Sequence, residues 1–272
     1  MLKLYKYFIL HPFNMLLWYF ARTCSKKNFN YFFNLRTFLN NCSERIYFKN
    51  NSFYFKDRDW KFSSQAMGYS FYNRGFKKRI IDLKDAYLIT NLEFNDKDVI
   101  IDIGANNGDF YLCFEKKIEY YGFEPSPKTF PDLEYNIKNQ NLINKGVWND
   151  LNKEIEFFLR DATGDSSIIP IKDFTSRVII ETTTLDKIID EINKPIKLIK
   201  IEAEGAEPEI LDGFKKNLSN VKYISIDCGF ERGIERSSTI TECSNYLINN
   251  NFEMMDFKNS RVVLLFKNKN IS

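Results

Sequence analysis

From residue 102 to 109 the chain reads Asp-Ile-Gly-Ala-Asn-Asn-Gly-Asp, and a glutamate, Glu124, lies twenty residues beyond Gly104. Glycines at 104 and 108 let a backbone come close to a ligand. The spacing differs from the G-x-G-x-x-G that seats a pyrophosphate, because positions 106 and 109 are Asn and Asp. No G-x-x-x-x-G-K-[ST] loop occurs either. Two carboxylates, Asp102 and Asp109, would repel a phosphate and suit a cation. A carboxylate at Glu124 can accept both hydroxyls of a ribose, as the acidic residue of dinucleotide folds does. A cationic nucleoside without phosphate meets both conditions, and S-adenosylmethionine is that ligand. The expected cofactor contacts are Asp102, Gly104, Ala105, Asn106, Asn107, Gly108, Asp109, Glu124, Pro125, Ser126 and Trp148.

Methyl transfer from a sulfonium to a hydroxyl needs the two aligned, and a positioned base helps a poor nucleophile. His11 is the one histidine and is remote in sequence, so the base should be a carboxylate. Glu202 and Glu204 follow the apolar run Ile196 to Ile201 and share a face if that strand continues so far. Asp165 is the third catalytic candidate, and Asp227 comes next. A divalent metal stays open as an aid to the hydroxyl. Ser166 and Ser167 either line the pocket or cap a loop. Asp227, Glu231 and Arg232 are placed to hold an acceptor, with an ordinary ion pair as the alternative for the last two. Glu207 and Glu209 suit the first turn of a helix on electrostatic grounds alone.

Short apolar runs alternating with helical stretches have to carry these residues. Val99 to Ile103, Tyr120 to Phe123, Ile196 to Ile201 and Val221 to Ile226 read as strands, and Gly146 to Trp148 as the continuation of a third. Helices are expected over 80–91, 128–138 and 206–214. Glu154 to Leu159 and Arg177 to Thr182 read as an antiparallel insertion, and Phe252 to Phe257 with Arg261 to Phe266 as a closing hairpin. The pattern predicts an α/β fold with a mainly parallel sheet covered on both faces. Ligands then bind beyond the carboxyl ends of the strands, where every polar cluster above falls.

Residues 1–95 read as a separate packing or capping region ahead of a domain over 96–272. They hold an aromatic helical segment over 4–21, a second over 30–41, and a hairpin from Arg45 to Phe55 with Asn50-Asn51 at its turn. Lys6, His11, Pro12 and Asn14 interrupt the first segment, which argues against a spanning helix. Packing on the protein is the first reading of 4–21 and peripheral membrane contact the second. With 39 basic against 36 acidic residues, bulk charge implies no nucleic-acid partner. Five widely spaced cysteines without a C-x-x-C pair point to a reducing, cytoplasmic setting rather than a disulfide or zinc framework. Oligomeric state is not legible.

The stretch from Arg74 to Gly233 resembles the FkbM-type methyltransferases. The matching segments are Val99 to Phe110, Gly122-Phe-Glu-Pro-Ser-Pro127, Asp165-Ser-Ser167, Thr183-Thr-Leu-Asp186, and Lys200-Ile-Glu-Ala-Glu-Gly-Ala-Glu-Pro-Glu-Ile-Leu211. In the last, Glu202 and Ala203 stand where the family usually has Asp and Val. The resemblance implies a Rossmann-like class I methyltransferase with a seven-stranded, mainly parallel sheet and a C-terminal antiparallel hairpin. It also implies S-adenosylmethionine as cofactor and a sugar hydroxyl, in a nucleotide sugar or surface glycan, as acceptor. Two competing readings are a catalytically silent binding module and an NAD-dependent oxidoreductase. The first would be marked by loss of Glu124 or the glycine loop, and the second needs the missing pyrophosphate loop.

Overall fold

A computed structural model describes residues 11–160 and 165–271. The chain forms two compact units that divide between Arg79 and Ile80.

The first unit holds helices α1 (His11–Thr23) and α2 (Lys26–Leu39), strands β1 (Ile46–Lys49), β2 (Ser52–Phe55) and β3 (Lys61–Phe62), and helix α3 (Gln65–Tyr72). Residues 4–10 of the first expected helix lie outside the described residues. Asn50 and Asn51 take φ of 49° and 60°, the positive values that a two-residue hairpin turn demands. The aromatic excess of the sequence is spent here. Phe29, Phe33, Phe53, Phe62 and Tyr72 are fully buried, and Phe29 meets Phe53 edge-on at 4.9 Å. Such pairs add stability beyond the area they bury.

Helix α4 (Phe76–Ala86) contains the division, and the second unit continues through β4 (Val99–Ile103), β5 (Glu119–Phe123), α5 (Phe130–Asn136), β6 (Asn141–Ile143), β7 (Gly146–Val147), β8 (Glu154–Leu159) and β9 (Ser176–Thr183). Then follow α6 (Leu185–Ile192), β10 (Ile196–Ile201), α7 (Glu207–Asp212), β11 (Val221–Asp227), β12 (Phe230–Arg232), β13 (Ser237–Ser238), α8 (Ile240–Asn249), β14 (Phe252–Lys258) and β15 (Val263–Asn268). A seven-stranded sheet runs in the order β14-β15-β11-β10-β4-β5-β6. Its β11, β10, β4, β5 and β6 are parallel, and β15 and β14 close it antiparallel, as the sequence led one to expect.

One strand differs from the sequence reading. The third parallel strand is Asn141–Ile143, whereas Gly146–Val147 leaves the sheet and pairs with β9, which β8 flanks antiparallel. Both sheet faces are covered. Ile101, Ile103, Ile199 and Ile201 pack with Ile189 of α6, Ile210 of α7 and Leu247 of α8. Ile100 and Leu198, on the opposite face, pack with Leu83, Tyr87, Phe110 and Leu133. Alternation along β4 and β10 therefore puts Asp102 and Lys200 on the second face, inside otherwise apolar surroundings.

Candidate active site

The loop after β4 turns through three positive φ values, 72° at Gly104, 51° at Asn106 and 91° at Gly108. The space each glycine leaves is taken by the chain itself. A Cβ at Gly104 would lie 2.0 Å from the Glu202 carbonyl oxygen, and one at Gly108 would lie 2.5 Å from Ile137 Cδ1. These glycines let the loop press onto the end of β10 and onto the end of α5. Glu124, at the carboxyl end of β5, fastens the same loop. Its two carboxylate oxygens accept the Asn106 N–H at 2.9 Å and the Ser126 N–H at 2.8 Å. Burial pushes its carboxyl up to about 7, although both hydrogen bonds and Lys200 oppose the rise.

The other loop residues are placed by backbone bonds. The Gly104 and Ala105 amides donate to the Phe123 carbonyl at 3.0 and 2.9 Å. Asn107 accepts a bond from the Asn136 side chain at 2.8 Å, and Asp109 is buried at the head of a short 3-10 turn. Pro125 is half-buried beside Glu124, and the Ser126 hydroxyl accepts the Thr129 N–H. Trp148 stands in the β7–β9 layer, its amide donating to Thr183 O at 2.8 Å.

Beneath the loop lies a chain of charges that sequence spacing did not reveal. Asp102 and Lys200 face each other across β4 and β10 in register and pair at 3.0 Å, with side chains 0% and 2% exposed. Lys200 Nζ also donates to the Gly104 carbonyl at 2.8 Å and the Ile103 carbonyl at 3.1 Å, and reaches Glu202 at 3.2 Å. Tyr120 donates its hydroxyl to Asp102, and Tyr87 donates its own to Glu202. Arg261 pairs with Glu202 and, at 2.6 Å, with Asp227. Tyr87 and Arg261 come from distant parts of the chain, which is why neither entered the sequence reading.

Glu202 and Glu204 do not share a face. Strand β10 ends at Ile201, and Glu204 takes a φ of 52°, so the chain turns between the two carboxylates. Glu202 is held by Lys200, Tyr87 and Arg261. Glu204 instead lines a cleft of about 150 Å³ with Arg160, Asp165, Lys172, Glu231 and Arg236. Burial first, then the like charges of Glu231 and Asp165, push the Glu204 carboxyl well above its usual range. A left-handed non-glycine residue is strained, and such strain gathers at functional sites. Asp165 is half-exposed, 3.7 Å from Arg160.

The remaining candidates brace this turn. The Ser167 hydroxyl donates to the Glu204 carbonyl at 2.9 Å, and Ser166 Oγ accepts the Arg160 N–H at 3.0 Å. Glu207 accepts the Ala203 and Gly205 amides, at 3.0 and 3.2 Å. Arg232 grips Glu209 through both carboxylate oxygens, at 2.8 and 2.6 Å, and also donates to the Gly205 carbonyl. Arg232 thus takes the ion-pair alternative. Asp227 is committed to Arg261 and to the Gly229 N–H. Among the described residues no group of three or more His, Cys, Asp or Glu side chains is arranged to hold a metal ion.

Burial, with Glu207 and Asp165 facing it, pushes the Glu231 carboxyl up to about 7. A carboxyl raised in the folded chain holds its proton more tightly there than when unfolded. Its stabilising contribution is full at low pH and is lost as pH climbs from 4.5 to about 7. Glu231→Gln cannot ionise, so it should gain stability on the parent across that window and keep the gain above it. Scanning calorimetry over the range reads the difference, and equal pH slopes in the two proteins would contradict the placement of Glu231 among these carboxyls.

Residues 102–257, more than half of the chain, match the model of the methyltransferase FkbM domain. The hexuronic acid methyltransferase AglP of Haloferax volcanii is 28% identical over 163 residues, 55% of this chain and 64% of that one. The chain thus spans less than two thirds of that relative's length. The 2-O-methyltransferase NoeI of Sinorhizobium fredii is 27% identical over 173 residues, 55% of this chain and 71% of that one. Among solved structures, Aeropyrum pernix fibrillarin with bound S-adenosylmethionine is similar at 12% identity and a TM-score of 0.42, covering 82% of this chain and 81% of that one. The acidic loop after β4, the carboxylate after β5 and the hairpin-closed sheet are thus found in a chain that belongs to the FkbM methyltransferases, a family of S-adenosylmethionine-dependent enzymes.

Proposed function

We propose that the chain methylates a hydroxyl of a sugar, in a nucleotide sugar or a surface glycan, with residues 96–272 as the catalytic domain and 1–95 as a packing or capping region. The observation that carries this reading is the cleft at the end of β10, where Glu204 and Glu231 are joined by Arg160, Lys172 and Arg236. Such a lining offers acceptors and donors to a ligand rich in hydroxyls. The names of the two relatives, one a hexuronic acid methyltransferase and one a 2-O-methyltransferase, support the same acceptor class. All five cysteines are free, in keeping with a cytoplasmic setting, and the reading keeps peripheral membrane contact through residues 4–21. No helix among the described residues is long and apolar enough to cross a membrane.

The cofactor loop fits its ligand by the chemistry of its donor set. After its backbone bond each Glu124 oxygen keeps a lone pair for a ribose hydroxyl. A sulfonium cation also suits a loop backed by buried carboxylates. S-adenosylmethionine, when bound, brings a methyl group that is already activated. In this reading Gly104 to Asp109 with Glu124, Pro125 and Ser126 hold it, and Lys200 holds the loop. Glu204 takes the acceptor's proton, and Asp165 and Glu231 orient the acceptor. Glu202, engaged by three donors, is a brace for the loop.

Glu124→Ala should weaken S-adenosylmethionine binding by roughly 1.5–3 kcal/mol, the scale of hydrogen bonds to a charged group. Calorimetric titration checks it, and unchanged affinity would remove Glu124 from the cofactor site. The acceptor class is tested by screening labelled methyl transfer over neutral and acidic sugars, nucleotide sugars and glycan fragments. Transfer to none of these, with transfer to an amine instead, would overturn the reading.

A further inference from the structure

Residues 1–43 carry six basic side chains, Lys3, Lys6, Arg22, Lys26, Lys27 and Arg36, and no acidic one. All 36 acidic residues of the chain lie beyond them, against 33 basic ones. The same stretch exposes large apolar groups. On α1, Met15, Leu16, Tyr19 and Phe20 are 42–59% exposed and follow one another at helical spacing. On α2, Tyr31, Leu35 and Phe38 are 41–69% exposed and likewise mark one stripe. Phe20 stacks on Phe32 at 5.9 Å, which joins the two helices. A soluble face of this length normally carries charges of both signs and few exposed aromatic groups.

We infer that the α1–α2 hairpin is a lipid-binding surface that recognises anionic headgroups and lies in the interface without spanning the bilayer. The inference extends the contact through residues 4–21 to a second helix and to a headgroup charge, and it does not rest on the acceptor reading. Two physical signals combine. Exposed Tyr, Phe, Leu and Met side chains enter the boundary between headgroups and chains. Lys26, half-buried, and Lys27, exposed, stand at the start of α2, directly after the short link from the end of α1 at Thr23. A positive segment without acidic residues is drawn to the negative surface potential of anionic lipid. Charge alone would suit a nucleic acid equally well. The seven exposed apolar groups favour lipid.

The test is co-sedimentation of the full chain with vesicles of phosphatidylcholine, with and without phosphatidylglycerol. Binding is expected to be at least about tenfold tighter to the anionic vesicles and to weaken as salt is raised. Lys26→Glu with Lys27→Glu should lower it about tenfold or more, and Tyr19→Ser with Phe38→Ser by a similar factor. Lys26→Gln with Lys27→Gln, a milder change, should act in the same direction. Circular dichroism and cofactor affinity, measured on the same proteins, are expected to stay at parental values. Three results would overturn the inference: equal binding to both vesicles, tighter binding to an oligonucleotide than to anionic lipid, or a concentration-dependent dimer that Tyr19→Ser with Phe38→Ser abolishes. Sugar methylation assayed with soluble acceptor stands or falls separately.

Discussion

Glu204→Gln is expected to lower turnover by about 100-fold or more while leaving S-adenosylmethionine affinity nearly unchanged, because a general base contributes on that scale and Glu204 sits outside the cofactor loop. The substitution keeps size and removes the ability to take a proton. Burial and the neighbouring carboxyls raise the Glu204 carboxyl, which makes it a stronger base than a solvated glutamate once ionised. The contrast with Glu202 is the informative part. Glu202→Gln breaks contacts to Arg261, Lys200 and Tyr87, so it should disturb the loop and cofactor affinity as well as turnover. If Glu204→Gln turns over normally with acceptor bound, alignment alone carries the reaction or Asp165 is the base.

Lys200→Met should destabilise the second unit by ~3–5 kcal/mol, the cost of breaking a buried pair from one side. Two carboxylates, Asp102 and Glu202, lose their shared cation, and the Ile103 and Gly104 carbonyls lose a donor. Restoring charge balance tests the cause. Lys200→Met combined with Asp102→Asn should recover part of the loss, because one of the stranded charges is gone. Denaturant unfolding followed by a probe in the sheet reads both values. A Lys200→Met protein as stable as the parent would show that the pair is not held as described.

Much of this site was legible because strand ends announce themselves. Val99 to Ile103 and Ile196 to Ile201 are mainly apolar runs, broken only by Asp102, Lys197 and Lys200 and followed by the glycine loop and by Glu202, so Asp102, Glu124 and Glu204 could be assigned to one end of a sheet. Asn141–Ile143 escaped because an edge strand of three residues with Asn at its head has no periodicity to read. Helix α6 was missed for a different reason. Leu185, Ile188, Ile189 and Ile192 do follow the helical spacing, but only Asn193-Lys-Pro195 separates them from the next strand, β10. The Glu202–Glu204 face failed on backbone geometry, since β10 ends at Ile201 and the chain then turns through the left-handed Glu204. Tyr87 and Arg261 were beyond reach in principle. They meet Glu202 across 115 and 59 residues of chain, and such pairings belong to topology rather than to local pattern.

The central claim is that a sugar hydroxyl receives the methyl group beside Glu204. The most direct measurement supplies S-adenosylmethionine carrying a carbon-13 methyl, together with the acceptor panel, to the parent and to Glu204→Gln, and reads the products by carbon NMR. The account predicts a new sugar O-methyl resonance with the parent protein and its near absence with the variant under equal cofactor saturation. An N-methyl product, or a sugar O-methyl signal that grows at the same rate in both proteins, would contradict it.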